Sequence, residues 1–186
     1  MQNPAATPEE PTGWQRRHVL KAGAVAAGVG LLGRFAHASG CDAVSPADYQ
    51  SMDAWDMANA VRKGELAPEH LLAAAMARCD AVNPKVNAVN MRHDEYATAL
   101  LKSRRAGGTS NAGALAGVPI LIKDLNTPLE GTRTTHGCRL YKDAPLASQT
   151  STLIARYQAQ GAVPFGKTTC PEFGLTTTTE SLLWGQ

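Results

Sequence analysis

The chain has 186 residues, of which 44% are hydrophobic, 18% charged and 5% aromatic. This is the composition of an ordinary globular protein, because a disordered chain would hold fewer apolar residues and a fibrous chain would show a repeat. The formal net charge is only +2, and the basic residues are too scattered to form the electrostatic footprint of a nucleic-acid-binding protein. We therefore expect one domain of average size with no nucleic-acid partner.

The first forty residues differ in character from the rest. Residues 1–14 are polar and contain proline, residues 15–21 (QRRHVLK) are basic, and residues 22–33 form a run of small and apolar residues. A basic head followed by a short apolar middle is typical of a cleaved export signal. The run is shorter than the roughly 20 residues that cross a bilayer, so we expect no stable membrane span. The alternative is an amphipathic N-terminal helix of a cytoplasmic protein.

Two details refine the signal. The pair Arg16 and Arg17, followed by Val-Leu-Lys, resembles the twin-arginine signal that exports folded proteins. Residues 36–38 (AHA) have the small-x-small form of a signal peptidase site. We therefore predict an export signal over residues 1–38 and a periplasmic or secreted protein that begins at Ser39.

Cys41 offers a second way of processing the signal. Residues 38–41 (ASGC) resemble a weak lipoprotein box, so a lipid anchor at Cys41 is an alternative to cleavage after residue 38. Cys79, Cys138 and Cys170 are far apart and show no Cys-x-x-Cys spacing, which argues against metal binding and redox chemistry. No metal and no cofactor are predicted.

Periodicity predicts three helices in the first half of the mature chain. The first covers residues 48–64 and ends at Gly64, a glycine just past the last periodic residue. The second begins at Pro68, which suits the first helical position, and ends at Asn83-Pro84. A short strand is predicted over residues 86–91. The third helix covers residues 95–105.

The second half indicates a βαβ unit. The aliphatic run at residues 117–124 (GVPILIKD) predicts a strand buried on both faces, the segment 151–160 predicts a helix, and residues 162–166 predict the next strand. Strands joined by a crossover helix are parallel, so the fold class is α/β. Pro164 cannot donate to a ladder and predicts an edge position or a bulge. The inward residues of the helix are predicted to be Leu153, Ile154 and Tyr157.

Lys123, at the end of the first of these strands, is the main candidate for chemistry. A lysine at a strand end commonly reaches water or pairs with a carboxylate, here Asp124 or Glu130. A lysine that is desolvated in a cleft becomes neutral and can act as a base. Composition alone favours the first interpretation.

The surrounding motifs favour the second. In order along the chain they are residues 117–124 (GVPILIKD), 131–137 (GTRTTHG), 161–168 (GAVPFGKT) and 171–173 (PEF). Together they resemble the first half of the amidase-signature family, and residues 66–88 are similar to the helix and turn that precede its core. The resemblance implies that residues 39–186 are the N-terminal part of a single α/β amidase domain, a mixed sheet covered by helices and preceded by N-terminal helices.

The resemblance also implies a chemistry. In this family two serines and a lysine hydrolyse a carboxamide C–N bond, and Lys123 occupies the lysine position. The substrate would be a small-molecule or peptide amide. Both family serines lie just downstream of a segment like residues 178–185, and no Gly-Gly-Ser-Ser-Gly stretch occurs in the 186 residues. We therefore expect a fragment that ends before its serines and is inactive alone. Alternatives are a non-catalytic remnant or binding protein, or the subunit of a tRNA-dependent amidotransferase.

Other candidate nucleophiles and binding motifs are rejected. Ser148 and Ser151 lie at the start of a helix, where serine caps are expected, and Ser181 occupies a position that the family uses structurally. His136 and Cys138 are too close in a loop to face each other. Residues 161–168 match a phosphate-binding loop formally, but such a loop runs from a strand into a helix, and here the order is reversed.

Overall fold

The computed structural model describes residues 43–109 and 112–185. They belong to one compact unit, Ser39–Gln186. The predicted signal over residues 1–38, its cleavage site and Cys41 lie outside the described residues. Within the described ranges, no helix combines the length and the hydropathy needed to cross a membrane.

The predicted first helix is in fact two. Helix α1 is Pro46–Ser51 and helix α2 is Ala54–Arg62. The chain turns out of α1 at Met52, and the Asp53 carboxylate then accepts a hydrogen bond from the Asp56 N–H (2.8 Å). An aspartate in extended conformation that satisfies a free N–H is a helix N-cap, so Asp53 starts a new helix where apolar spacing alone predicted continuity.

Helix α3, Pro68–Val86, begins at Pro68 as predicted but does not end at Asn83-Pro84. Pro84 lies in the last turn, where the ring removes one helical hydrogen bond and the helix continues for two more residues. The helix is closed by Asn87, which has a left-handed conformation (φ 44°) and donates its N–H to the Asn83 carbonyl (2.8 Å). Asparagine is the commonest residue after glycine at such a position.

Strand β1 (Val89–Arg92) and helix α4 (Asp94–Ala106) follow, close to the ranges that the sequence predicts. Helices α2, α3 and α4 bury their apolar faces in two clusters. One joins α2 and α3 to residues 116–118, and the other joins α3 and α4 to residues 163–165. The members of the first are Met57, Ala58, Val61, Leu71, Ala116 and Val118; those of the second are Leu72, Ala75, Ala97, Leu101, Val163 and Phe165.

The βαβ unit is confirmed. Strand β2 (Pro119–Lys123), helix α5 (Thr152–Ala159) and strand β3 (Val163–Thr168) follow one another, and β2 pairs with β3 in parallel. Strand β1 pairs with the other side of β3 in antiparallel, so the sheet is mixed, with the order β1-β3-β2. The α/β fold class is therefore confirmed. The segment between β2 and α5 contains one 3₁₀ turn, Arg139–Tyr141, and a second turn, Glu172–Gly174, follows β3.

Two details of the strands differ from expectation. β3 is central and buried, so Pro164 does not mark an edge; it lies beside a bulge, because Ile120 pairs with Pro164 and Leu121 already pairs with Gly166. The bulge is the other predicted alternative. β2 is not buried on both faces, since Ile122 is buried and Leu121 is exposed.

Helix α5 also buries less than predicted. Ile154 is buried, but Leu153 is 50% exposed and Tyr157 is 42% exposed. These two side chains, Leu121 and Lys123 contribute to a groove of about 390 Å³ along β2. We call it the β2 groove. In the described residues the sheet ends at β2, so no further strand shields these apolar side chains from water.

Candidate active site

Strand β2 ends at Lys123, the residue that the resemblance implies to be the catalytic base. Its side chain is exposed, and its amine forms no hydrogen bond or ion pair with any residue in the described ranges. Among the described residues β2 pairs only with β3, so in this part of the protein it is an edge strand, and the expected burial on both faces is not found. Lys123 lines the β2 groove instead, and its catalytic role stays a prediction.

The next residue, Asp124, has no exposed surface. Its carboxylate accepts hydrogen bonds from the Thr135 N–H (2.7 Å), from the Thr135 hydroxyl and from the Asn90 side-chain amide (2.9 Å). Its carbonyl accepts from the Cys170 thiol (3.2 Å). A buried carboxylate is tolerated only when hydrogen bonds replace its lost hydration. These bonds hold the backbone on which Lys123 is mounted.

Lys167 is a functional candidate that the sequence analysis missed. It is the largest fully buried side chain in the described ranges, and its amine donates to the Arg133 carbonyl (2.5 Å) and the Thr134 hydroxyl (2.6 Å). Burial lowers the pKa of Lys167 to about 8, and the negative charge of Asp124 acts in the opposite direction. The sequence could have indicated this burial, because residues 162–166 form an apolar run and Lys167 follows directly. We predicted that the strand ends at Gly166, which placed Lys167 outside it, whereas β3 continues to Thr168.

His93, at the start of α4, shares this electrostatic environment. Burial lowers its pKa, and the nearby Lys167 charge lowers it further, against weaker opposing effects of Asp94 and Asp124. Its Nε2 is buried and has no hydrogen-bond partner in the part of the chain described. Burial and the Lys167 charge both favour the neutral form of His93.

His136 packs in an aromatic cluster. Its ring stacks on Phe173 (centroids 5.9 Å apart) and meets the edge of Tyr141 (5.5 Å). His136 thus contacts aromatic rings, whereas from the sequence only its pairing with Cys138 was rejected. Gly137 has φ +67°, and a Cβ there would lie 2.4 Å from the Cys170 carbonyl oxygen. The loop after β2 therefore presses directly against the loop after β3.

The serines have the following places. Ser181 is buried and its Oγ accepts from the N–H groups of Leu183 (3.1 Å) and Trp184 (3.0 Å), a structural role. Ser148 is exposed. Ser151 occupies the N-cap position of α5, but its hydroxyl forms no cap bond, contrary to expectation, and that hydroxyl is buried without a partner in the described ranges.

Trp184 contacts the group of polar residues around Asp124, which we call the polar cluster (Asn90, Asp124, Thr135 and Lys167). Its indole N–H donates to the Thr135 hydroxyl (3.1 Å), and its carbonyl accepts from the Asn87 side chain (2.6 Å). The formal phosphate-loop match is excluded by the fold, because residues 163–168 are themselves strand β3 and Lys167 bonds to protein groups. Residues 43–109 and 112–185 contain no group of three or more His, Cys, Asp or Glu side chains placed to hold a metal ion.

Comparisons with known proteins agree with these observations. The family described as Amidase matches residues 70–186. The chain is 37% identical over 134 residues to the 6-aminohexanoate-cyclic-dimer hydrolase of Paenarthrobacter ureafaciens, covering 72% of this chain and 26% of that protein. It is 40% identical over 128 residues to a glutamyl-tRNA(Gln) amidotransferase subunit of Deinococcus radiodurans, covering 67% and 25%.

The solved structures point the same way. A 6-aminohexanoate cyclic dimer hydrolase complexed with substrate superimposes with a TM-score of 0.65 at 36% identity, over 72% of this chain and 27% of the other. The chain thus spans about a quarter of the length of the relatives it matches. The family match, the βαβ unit and the ordered motifs around Lys123 lead to one conclusion: this chain belongs to the amidase family, the amidase-signature enzymes.

Proposed function

We propose that the full-length protein that contains this chain hydrolyses the C–N bond of a carboxamide, and that Lys123 is its base. Several relatives are named as amide hydrolases, among them the cyclic-dimer hydrolase and an acylamidase of Rhodococcus erythropolis that is 35% identical over 136 residues. The substrate class that follows is a small-molecule or peptide amide. Because the chain spans about a quarter of these relatives, the activity belongs to the whole protein.

The observation that carries the proposal is the placement of Lys123. Its exposed amine stands at the carboxyl end of a parallel strand, the end of an open α/β sheet at which ligands bind. The amine has no ion-pair partner among the described residues, so no carboxylate there competes with substrate for it. Its backbone, in contrast, is held by the buried Asp124 next to it.

The chemistry follows from a neutral amine and two serines supplied by the rest of the protein. Lys123 takes a proton from the bridging serine, which takes one from the nucleophilic serine. The activated oxygen attacks the carboxamide carbon, and the proton taken up by Lys123 returns through the bridging serine to the leaving nitrogen as the C–N bond breaks. The amine or ammonia departs, and the acyl group stays on the nucleophilic serine as an acyl-enzyme. Water then releases the acid and restores the serine. This is covalent catalysis in which lysine takes the place of the more familiar histidine.

The test uses the full-length protein and ammonia release from simple amides. Lys123→Ala should lower kcat on the order of a thousandfold or more, as removal of a member of a serine triad does. Lys102→Ala is the matched control, because Lys102 is an exposed lysine on α4. Wild-type turnover in the Lys123→Ala enzyme would refute the assignment.

A second candidate is the subunit of an amidotransferase, which the 40% identity to the Deinococcus protein favours. The two activities are separated by assaying conversion of glutamyl-tRNA(Gln) against release of ammonia from simple amides. A third candidate is a non-catalytic remnant. Sequencing the gene beyond the codon for residue 186 distinguishes it: a glycine- and serine-rich stretch supports the enzyme, and a stop codon supports the remnant.

We also propose that residues 1–38 direct export through the twin-arginine route. The support is the sequence pattern alone: Arg16-Arg17, the short apolar run and the small residues at 36–38. Lipidation of Cys41 is the alternative processing. An exported protein would not serve tRNA, so localisation also bears on the choice between the hydrolase and the amidotransferase.

A further inference from the structure

We infer that Lys167 is a positioning residue for the amidase reaction: it fastens the loop whose Thr135 holds Asp124, and thereby fixes the end of β2 that carries Lys123. The inference rests on the proposed function of Lys123 as the base. It concerns a side chain on the central strand, which the mechanism itself does not use.

The first step is the cost of placing a lysine there. Lys167 has no exposed surface, and burial of a charged amine is unfavourable unless it is compensated. An apolar side chain of similar length would fill the same space without this cost. We therefore infer that the role of the amine lies in its hydrogen bonds. It donates them to two consecutive residues, Arg133 and Thr134.

The second step is what those bonds fix. Residues 126–137 contain no helix or strand, so side-chain bonds must set the path of this loop. Lys167 holds it at Arg133 and Thr134, and the next residue, Thr135, donates both its N–H and its hydroxyl to the Asp124 carboxylate. A continuous series of contacts thus runs from β3 through the loop to Asp124.

The third step leads to Lys123. The Asp124 carboxylate accepts hydrogen bonds from Asn90 and Thr135, whereas the Lys123 amine forms no hydrogen bond or ion pair in the described ranges. The position of the amine therefore depends on the backbone that Asp124 holds. A displacement of a catalytic group by about 1 Å costs on the order of a hundredfold in rate, so loosening the loop should lower kcat while leaving most substrate contacts intact.

Charge adds a second dependence. The ionised groups facing the Lys167 amine are Asp124 after β2 and, when protonated, His93 before α4; the loop presents only the Arg133 carbonyl and the Thr134 hydroxyl. Loss of the Lys167 proton leaves the buried Asp124 charge without its counter-charge. A Lys167 with a pKa of about 8 therefore places an alkaline limb in the activity profile.

The test compares three variants of the full-length enzyme: Lys167→Met, Thr134→Val and Lys102→Ala. Lys167→Met removes the amine and should lower kcat by about ten- to a hundredfold, with KM changed less than threefold and with no limb near pH 8. Thr134→Val removes one acceptor without creating a buried charge and should lower kcat by a smaller factor. It should also speed hydrogen exchange of the amides in residues 131–137. Lys102→Ala should match the wild type.

The outcomes separate the positioning role from the proposed function. If Lys123→Ala is inactive but a folded Lys167→Met enzyme keeps the wild-type kcat and pH profile, the positioning role is wrong and the proposed function stands. If Lys123→Ala is fully active, the proposed function itself is wrong. Should Lys167→Met fail to fold, Thr134→Val decides, and wild-type kcat together with unchanged exchange in residues 131–137 would overturn the inference.

Discussion

Lys123 is exposed at the β2 groove, while its neighbour Asp124 is fully buried among Thr135, Asn90 and Cys170. Successive side chains of an extended backbone point to opposite sides, so one strand end supplies both a free amine and its anchor. We therefore expect replacement of Asp124 to affect mainly the stability of the protein, and replacement of Lys123 to affect mainly its activity.

Asp124→Ala in the full-length protein should lower the free energy of unfolding by about 3–5 kcal/mol, the usual effect of removing one partner from a buried charged cluster. The Thr135 N–H loses its acceptor, and Lys167 loses the charge that raises its pKa. Asp124→Asn, which keeps an acceptor oxygen, should cost less. Urea unfolding measures both, and equal stabilities of Asp124→Ala and the wild type would contradict the role of this carboxylate.

The burial of Lys167 should make stability depend on pH. Its pKa is about 8 in the folded protein and 10.5 in the unfolded chain, so between these values the unfolded state binds more protons. Stability from this group therefore rises from pH 8 to pH 10.5, by up to about 3 kcal/mol. Urea unfolding of the wild type and of Lys167→Met across this pH range isolates the contribution of Lys167, since all other groups titrate in both proteins. The stability of the wild type should rise more steeply with pH than that of the variant, and parallel curves would disprove the prediction.

Gly137→Ala should destabilise the protein by about 2–4 kcal/mol. The residue has φ +67°, and the new Cβ would meet the Cys170 carbonyl at 2.4 Å, a contact with backbone that cannot move aside easily. The control is Gly131→Ala in the same loop, with φ +75° and open space around the Cβ position, which should cost about 1 kcal/mol. Similar melting temperatures for the two variants would refute the close approach of the loops.

Expressed alone, the segment from Ser39 onward should release no ammonia from amides and should aggregate. β2 is an edge strand in the described sheet, and Leu121, Leu153 and Tyr157 are exposed beside it; unprotected apolar edges template association. Leu153→Gln should raise the soluble fraction, whereas Leu146→Gln, at a loop leucine that is 58% exposed, should not. A monomeric wild-type segment with a cooperative thermal melt would contradict the prediction that the exposed edge at β2 causes aggregation.

Replacing Arg16 and Arg17 together with lysine should retain the protein in the cytoplasm. Twin-arginine recognition depends on the guanidinium pair and not on charge alone, which lysine would conserve. Cell fractionation of the tagged protein measures the outcome. Replacing Lys21 with arginine is the charge-conserving control, and normal periplasmic delivery of the double variant would show that the signal is of another type.

The sequence predicts the βαβ unit and the position of Lys123 at a strand end because apolar runs, and the Gly and Pro residues that bound them, are local features. It does not predict the break between α1 and α2, since apolar spacing continues across Asp53 while the cap that separates the helices is a single hydrogen bond. Pro84 predicts a helix end, but a proline in the last turn removes only one bond and the helix continues past it.

The polar cluster could not be predicted for a different reason. Lys167 looks like an exposed residue after a strand until the loop at Arg133 and Thr134 is known to lie over it. Likewise the apolar face of α5 predicts burial of Leu153 and Tyr157, but whether a face is covered depends on what else packs there. The burial of Lys167 and the exposure of Leu153 and Tyr157 both depend on segments distant in sequence, which local periodicity cannot predict.

The bonds of Thr135 have a consequence for the order of assembly. Its partners Asp124 and Trp184 are 11 and 49 residues away along the chain, so this edge of the protein forms only when distant segments have met, and the loop-closure entropy is lost before the bonds are gained. Trp184 is bonded to Thr135 through its indole N–H, so its fluorescence should report when these two segments have met. In the full-length protein, comparing the emission during refolding with that of a Trp184→Phe variant would isolate the Trp184 signal and time the formation of its bond to Thr135.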